Sequence, residues 1–171
     1  MASADTSLGL GIWDLGFTTS VDLPLPASIP SEYVADRALR LQLYRRLANL
    51  SEESAVEAVG AELADRFGPL PRSLENLLYQ LRVKVRAGRA GVTAVASEGG
   101  QIVLTLPPIS ETDQAYLGGS LGPGVRVSKN KLWLSRAAEK DWREHLLHVL
   151  TRLEKERGFL QPSNSLQPGC S

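Results

Sequence analysis

One cysteine, Cys170, stands in a chain of 171 residues. An internal disulfide is thereby excluded, and so is any metal site built on a cluster of thiolates. Excess charge of either sign is also missing. Nineteen Lys and Arg balance nineteen Asp and Glu, so there is no global basic field of the kind that drives nonspecific nucleic-acid binding. Any charged contact must be local. No uninterrupted apolar run approaches the roughly 20 residues of a membrane helix, and the N-terminus lacks the basic region and apolar core of a signal peptide. These absences predict a cytoplasmic protein outside the membrane. Repeats of fixed period are absent too, which argues against a solenoid or propeller.

What is present is an ordinary globular composition, 43% hydrophobic and 22% charged. A chain of this length can bury roughly two-thirds of its unfolded surface and fold alone as one domain. Residues 1–20 read as a linker or as sequence left from expression, in which Trp13 and Phe17 are packing anchors at most. Gly9, Gly11 and Gly16 have the wrong spacing for a dinucleotide fingerprint. From Val21 to Pro30, three prolines enforce extended steps and predict a docked strap.

Asp36 is a suitable N-cap for a helix over Arg37 to Ala48, with Leu41, Tyr44 and Leu47 on its apolar face. Ser51 is expected to cap a second helix running to Phe67, weakened at Gly60 unless a neighbouring helix approaches closely there. The stretch Glu62-Leu-Ala-Asp-Arg-Phe-Gly-Pro-Leu-Pro71 ends that helix and starts another. Gly68 can take a left-handed conformation, Pro69 cannot extend the helix, and Pro71 suits the first turn of the next one. Leu74, Leu77, Leu78, Leu81 and Val85 then mark a third helix to about Ala87.

After Gly91 the apolar period becomes extended. Val92 to Ser97 and Gln101 to Leu106 predict a hairpin turning at Gly99-Gly100. Ser110 is expected to cap a short helix to Leu117, ended by Gly118-Gly119. A second hairpin pairs Val125 to Ser128 with Lys131 to Leu134. The glycine-rich run 118–124 lacks the Lys-Ser/Thr and strand-to-helix setting of a phosphate loop. Ser135 is expected to cap a long last helix, Arg136 to Arg157, stopped by Gly158, with Trp142, Leu146, Val149, Leu150 and Leu153 buried. The predicted class is α+β: three N-terminal helices, two β-hairpins forming a small antiparallel sheet, a short intervening helix and a long C-terminal helix. Residues 159–171 read as a disordered tail, and Leu166-Gln-Pro-Gly169 resembles the translation of cloning sites.

Three groups of polar residues carry possible chemistry. Glu62 and Asp65 lie three apart near the negative end of a helix dipole, where acids are disfavoured. Glu62 can pair with Arg66 at i, i+4, or the two acids can face a basic partner. As a hydrolytic carboxylate pair they lack any flanking substrate site. Arg82, Arg86 and Arg89 form a possible stripe for nucleic acid or an acidic partner, more simply read as a solvated face. His145 and His148 stand at i, i+3 without a third metal ligand nearby.

The segments Asp22-Leu-Pro-Leu-Pro-Ala-Ser-Ile-Pro30, Tyr33-Val-Ala-Asp36, Arg40-Leu-Gln-Leu-Tyr-Arg-Arg-Leu47, Glu62 to Pro71 and Glu75-Asn-Leu-Leu-Tyr79 together resemble the C-terminal domain of bacterial transcription-repair coupling factors, the Mfd family. The resemblance covers residues 21–158, by pattern more than by residue in the second half. Family proteins are ATP-driven DNA translocases that displace stalled RNA polymerase and recruit UvrA in nucleotide excision repair. None of the ATPase motifs is in this chain, so no catalytic residue, cofactor, metal or small-molecule ligand is expected. The resemblance implies a regulatory, autoinhibitory domain that packs on a UvrB-like N-terminal module, in cis or in trans, and masks UvrA binding. The acidic residues of its Glu-x-x-Asp-Arg-Phe-Gly motif, which face basic residues of that module, fall here on Glu62 and Asp65, and the implied partner-binding residues are Glu62, Asp65 and Arg66. Direct DNA contact is not expected.

Overall fold

In a computed structural model, residues 19–136 and 141–160 are described. They form five helices and five strands, an α+β fold. In chain order these are β1 (Ser20–Asp22), α1 (Arg37–Ala48), α2 (Glu53–Phe67), α3 (Arg72–Arg89), β2 (Ala94–Glu98), β3 (Gln101–Thr105), α4 (Glu111–Leu121), β4 (Val125–Val127), β5 (Lys131–Ser135) and α5 (Trp142–Leu160). The backbone forms two compact units that divide between Val85 and Arg86, within α3.

The first unit is helical. Asp36 caps α1 by accepting from the N–H groups of Ala38 and Leu39, which satisfies two of the donors that a helix start leaves unpaired. Helix α2 begins at Glu53 rather than under a Ser51 cap; Glu52 occupies the cap position and makes no side-chain cap bond. Acidic residues facing the helix dipole suffice there. Gly68, at φ 95° and ψ −172°, ends α2, in a region of backbone space that is essentially glycine's own. The carbonyl of Pro71 accepts from the N–H groups of Leu74 and Glu75 and opens α3. Gly60 is buried, and a Cβ built on it would lie 3.0 Å from Leu78 Cδ1, so the close helix approach is real. The core gathers Leu43, Leu47, Val56, Val59, Leu63, Leu74, Leu77 and Leu81.

The proline-bearing strap docks on this core. It contains the short strand β1, which sequence periodicity does not reveal because it is only three residues long. Farther along, Asn76 Nδ2 donates to the carbonyl of Pro26 at 2.9 Å and Gln80 Nε2 to that of Leu25 at 3.2 Å. Both amides are buried, and they stand one turn apart on α3. The N–H of Ile29 donates to the hydroxyl of Tyr44.

The second unit builds its sheet in the order β2–β3–β5–β4, antiparallel at every pairing. Gly99 and Gly100 turn the first hairpin with φ of 54° and 79°, as a two-residue turn requires. Register aligns Val95 with Leu104 and Leu104 with Leu132, so one face is a continuous buried aliphatic row. Leu146, Val149, Leu150 and Leu153 of α5 are fully buried, and α5 packs against β5 and α4.

The limits of α4 and α5 differ from the sequence expectation. Gly118 and Gly119 lie inside α4, which continues to the buried Leu121 and ends at Gly122 with φ 84°. Burial of one more leucine outweighs the poor helix propensity of two glycines. Ser135 is the last residue of β5, not a cap. Asp141 caps α5 instead, accepting from the N–H of Glu144 through its side chain and from that of His145 through its carbonyl. Helix α5 also runs through Gly158 to Leu160. Trp13, Phe17, Cys170 and the stretch 166–169 lie outside the described residues.

Candidate functional site

The end of α2 and the turn after it are fixed by Tyr33. Its hydroxyl donates toward the carbonyls of Leu63, at 2.9 Å, and Gly68, at 2.7 Å. Its ring meets that of Phe67 at 5.6 Å between centroids. Burial raises the Tyr33 phenol above its usual pKa, so it remains a neutral donor. One hydroxyl therefore serves two carbonyls, one within α2 and one just past its end, and ties the helix to the turn that follows.

On this braced turn stand the two acids. Glu62 is held by a guanidinium fork from α1: Arg46 Nη1 donates to Oε1 at 2.9 Å and Nη2 to Oε2 at 2.7 Å. Arg66, one turn along α2, adds a bond to Oε1 at 3.3 Å. The Arg46 bonds, seconded by Arg66, hold the Glu62 carboxyl below its usual pKa. Arg66 also lies over the Phe67 ring, 5.1 Å from its centroid. Asp65 is exposed, and its carboxylate makes no hydrogen bond or ion pair among the described residues.

The sequence thus places Glu62, Asp65 and Arg66 correctly on one turn, and the i, i+4 pair is present. Arg46 was not legible. It sits sixteen residues from Glu62, across the link between α1 and α2, and no spacing rule within a helix reports such a pair. Tyr33 carried no signal beyond its place in a matching segment.

The arginine stripe is occupied internally. Arg82 Nε pairs with Glu53 at 3.3 Å. Arg86 Nη1 donates to Thr151 Oγ1 at 2.9 Å and to the carbonyl of Leu147 at 3.2 Å. Arg89 is half-buried and also engaged. His148 is exposed, whereas His145 is half-buried and its Nδ1 has no hydrogen-bond partner among the described residues. No group of three or more metal-ligating side chains occurs among the described residues, and none of their helices is long and apolar enough to cross a membrane.

A family model described as the TRCF domain matches residues 23–117. A transcription-repair-coupling factor of Staphylococcus haemolyticus is 28% identical over 144 residues, covering 78% of this chain and 12% of that protein. Its counterpart in Mycobacterium bovis is 38% identical over 97 residues, 57% of this chain and 8% of that protein. That of Rickettsia conorii is 48% identical over 69 residues, 40% of this chain and 6% of that protein. The chain therefore spans about an eighth or less of the length of these relatives. Among solved structures, the C-terminal domain of a transcription-repair coupling factor superposes with a TM-score of 0.67 at 20% identity, covering 82% of this chain and 96% of that one. That likeness is one of fold.

Proposed function

The chain belongs to the TRCF domain family, and on that premise we propose that it is a non-catalytic, autoinhibitory interaction domain of a transcription-repair coupling factor. In this reading it packs on a UvrB-like module, in cis or in trans, and covers the surface that UvrA would otherwise bind. The parent protein would be the ATP-driven translocase that displaces stalled RNA polymerase in transcription-coupled repair.

The observation that carries the reading is Asp65. A carboxylate that is exposed and has no partner among the described residues, at the negative end of a helix, works against the fold. A complementary basic surface accounts for it. Contacts of this kind are modest and screened by salt, which suits a resting state that must be released.

The test is calorimetric titration of the chain with a separately expressed UvrB-like module at low and high salt, with an Asp65→Lys, Glu62→Lys variant alongside. Binding that weakens with salt and disappears in the folded variant is expected. Equal binding by wild type and variant would remove these acids from the interface.

A further inference from the structure

Glu62 is already occupied before any partner arrives. We propose that Arg46 fills, from within the domain, a guanidinium-binding site centred on Glu62, and that an arginine of the partner takes its place on binding. This rests on the reading of the Glu62–Asp65 turn as the partner-facing surface.

The geometry defines the group that the site accepts. Both carboxylate oxygens are met by the two terminal nitrogens of one guanidinium, at 2.9 and 2.7 Å. Only a planar fork makes two such parallel bonds; an ammonium group meets the carboxylate as a point charge. The site therefore selects arginine over lysine.

The surroundings make exchange feasible. Both side chains are open to water, Arg46 by 47% and Glu62 by 34%, so no buried charge is stranded when one cation leaves and another enters. Arg66, from the same helix, keeps its bond to Oε1 and holds the carboxylate in place during the exchange. With Arg46 docked, the cluster contains Glu62 and Asp65 against Arg46 and Arg66, and its charges cancel. The cluster as a whole is thus neutral, and Arg46 lowers the affinity that the two acids would otherwise give.

The experiment compares the wild-type chain with Arg46→Gln, Arg45→Gln, Glu62→Gln and the Arg46→Gln, Glu62→Gln pair, each titrated with the UvrB-like module at low salt. Arg45 is the control for charge. It is exposed, adjacent in sequence, and makes no side-chain bond to Glu62. Arg46→Gln is expected to bind about two- to fivefold tighter than wild type, the range that loss of an exposed competing pair implies. Arg45→Gln is expected to fall short of that gain. The double variant is expected to match Glu62→Gln, because without the carboxylate there is nothing to compete for.

Equal or weaker binding by Arg46→Gln, with wild type binding normally, overturns the exchange and leaves the docking surface standing. An equal gain in Arg45→Gln overturns it as well, by reducing the effect to net charge. If no form of the chain binds the module at low salt, the underlying reading fails and the exchange falls with it. A carboxyl-carbon NMR titration in the same samples gives an independent check: the Glu62 pKa must rise in Arg46→Gln, and an unchanged value refutes the occupied site itself.

Discussion

Replacing Tyr33 by Phe isolates the brace that holds the acidic turn. The substitution keeps the ring, and with it the contact to Phe67 at 5.6 Å, but removes the hydroxyl that reaches Leu63 and Gly68. A typical hydrogen bond contributes about 1 kcal/mol net, and a carbonyl left unpaired in a buried place costs about 1–3 kcal/mol more. Gly68 is only half-buried, so water can reach its carbonyl and the penalty lies at the low end. Tyr33→Phe is therefore expected to lose about 1–2 kcal/mol. Urea unfolding at unchanged slope measures it. Because the chain forms two compact units, two transitions can separate, and the shift belongs to the one that reports the helical unit. Amide exchange supplies the local signature: the Gly68 N–H, bonded to the carbonyl of Ala64 at 2.9 Å, should exchange faster before any amide of the α2 interior does. A loss under about 0.3 kcal/mol, with Gly68 protection intact, would mean that the turn does not depend on Tyr33.

Gly68→Ala forces a side chain into a conformation nearly reserved for glycine and should cost about 1–3 kcal/mol, read by thermal or urea unfolding; a neutral result would show that the turn relaxes freely. Asn76→Ala removes the donor to the Pro26 carbonyl and should destabilise by about 1–3 kcal/mol, with faster proteolysis in the strap as the local readout. Glu62 has a folded pKa held below its usual value near 4.5. Its contribution to stability is thus full above the usual value and is lost as pH falls through the depressed one. The stability gap between wild type and Glu62→Gln should close as pH falls below the usual value near 4.5 and through the depressed one; a gap independent of pH would rule out the ion pair as its source.

Much of the fold was legible because it rests on local chemistry. The Asp36 cap, the Gly68-Pro69 stop and the Gly99-Gly100 turn each follow from what one or two residues can do with the backbone. Helix α1 has the limits its cap and periodicity predict. The errors arose where packing overrode a local signal. Gly118 and Gly119 look like a stop, yet Leu121 needed burial. Ser135 looks like a cap, yet register with Gln101 keeps it in the sheet. At the candidate site the same division holds. The acids on their turn could be read from sequence, but the fork from Arg46 could not, since it depends on how two helices are set against each other. The arginines at 82 and 86 looked solvated because their partners, Glu53 and Thr151, lie 29 and 65 residues away.

The strap bears on the order in which the helical unit assembles. The brackets from Asn76 and Gln80 join residues 50 and 55 positions apart, whereas α2 and α3 meet across a turn of a few residues. Closing the longer loop sacrifices more chain entropy before any contact rewards it. The α2–α3 hairpin is therefore expected to form early and the strap to seat late. Those two amides grip backbone carbonyls, at Leu25 and Pro26, and ask nothing of the strap's own N–H groups there. A proline-bearing ribbon, which has few such groups to offer, can thus close the unit last, and its carbonyl spacing must be kept more strictly than the identity of its exposed side chains.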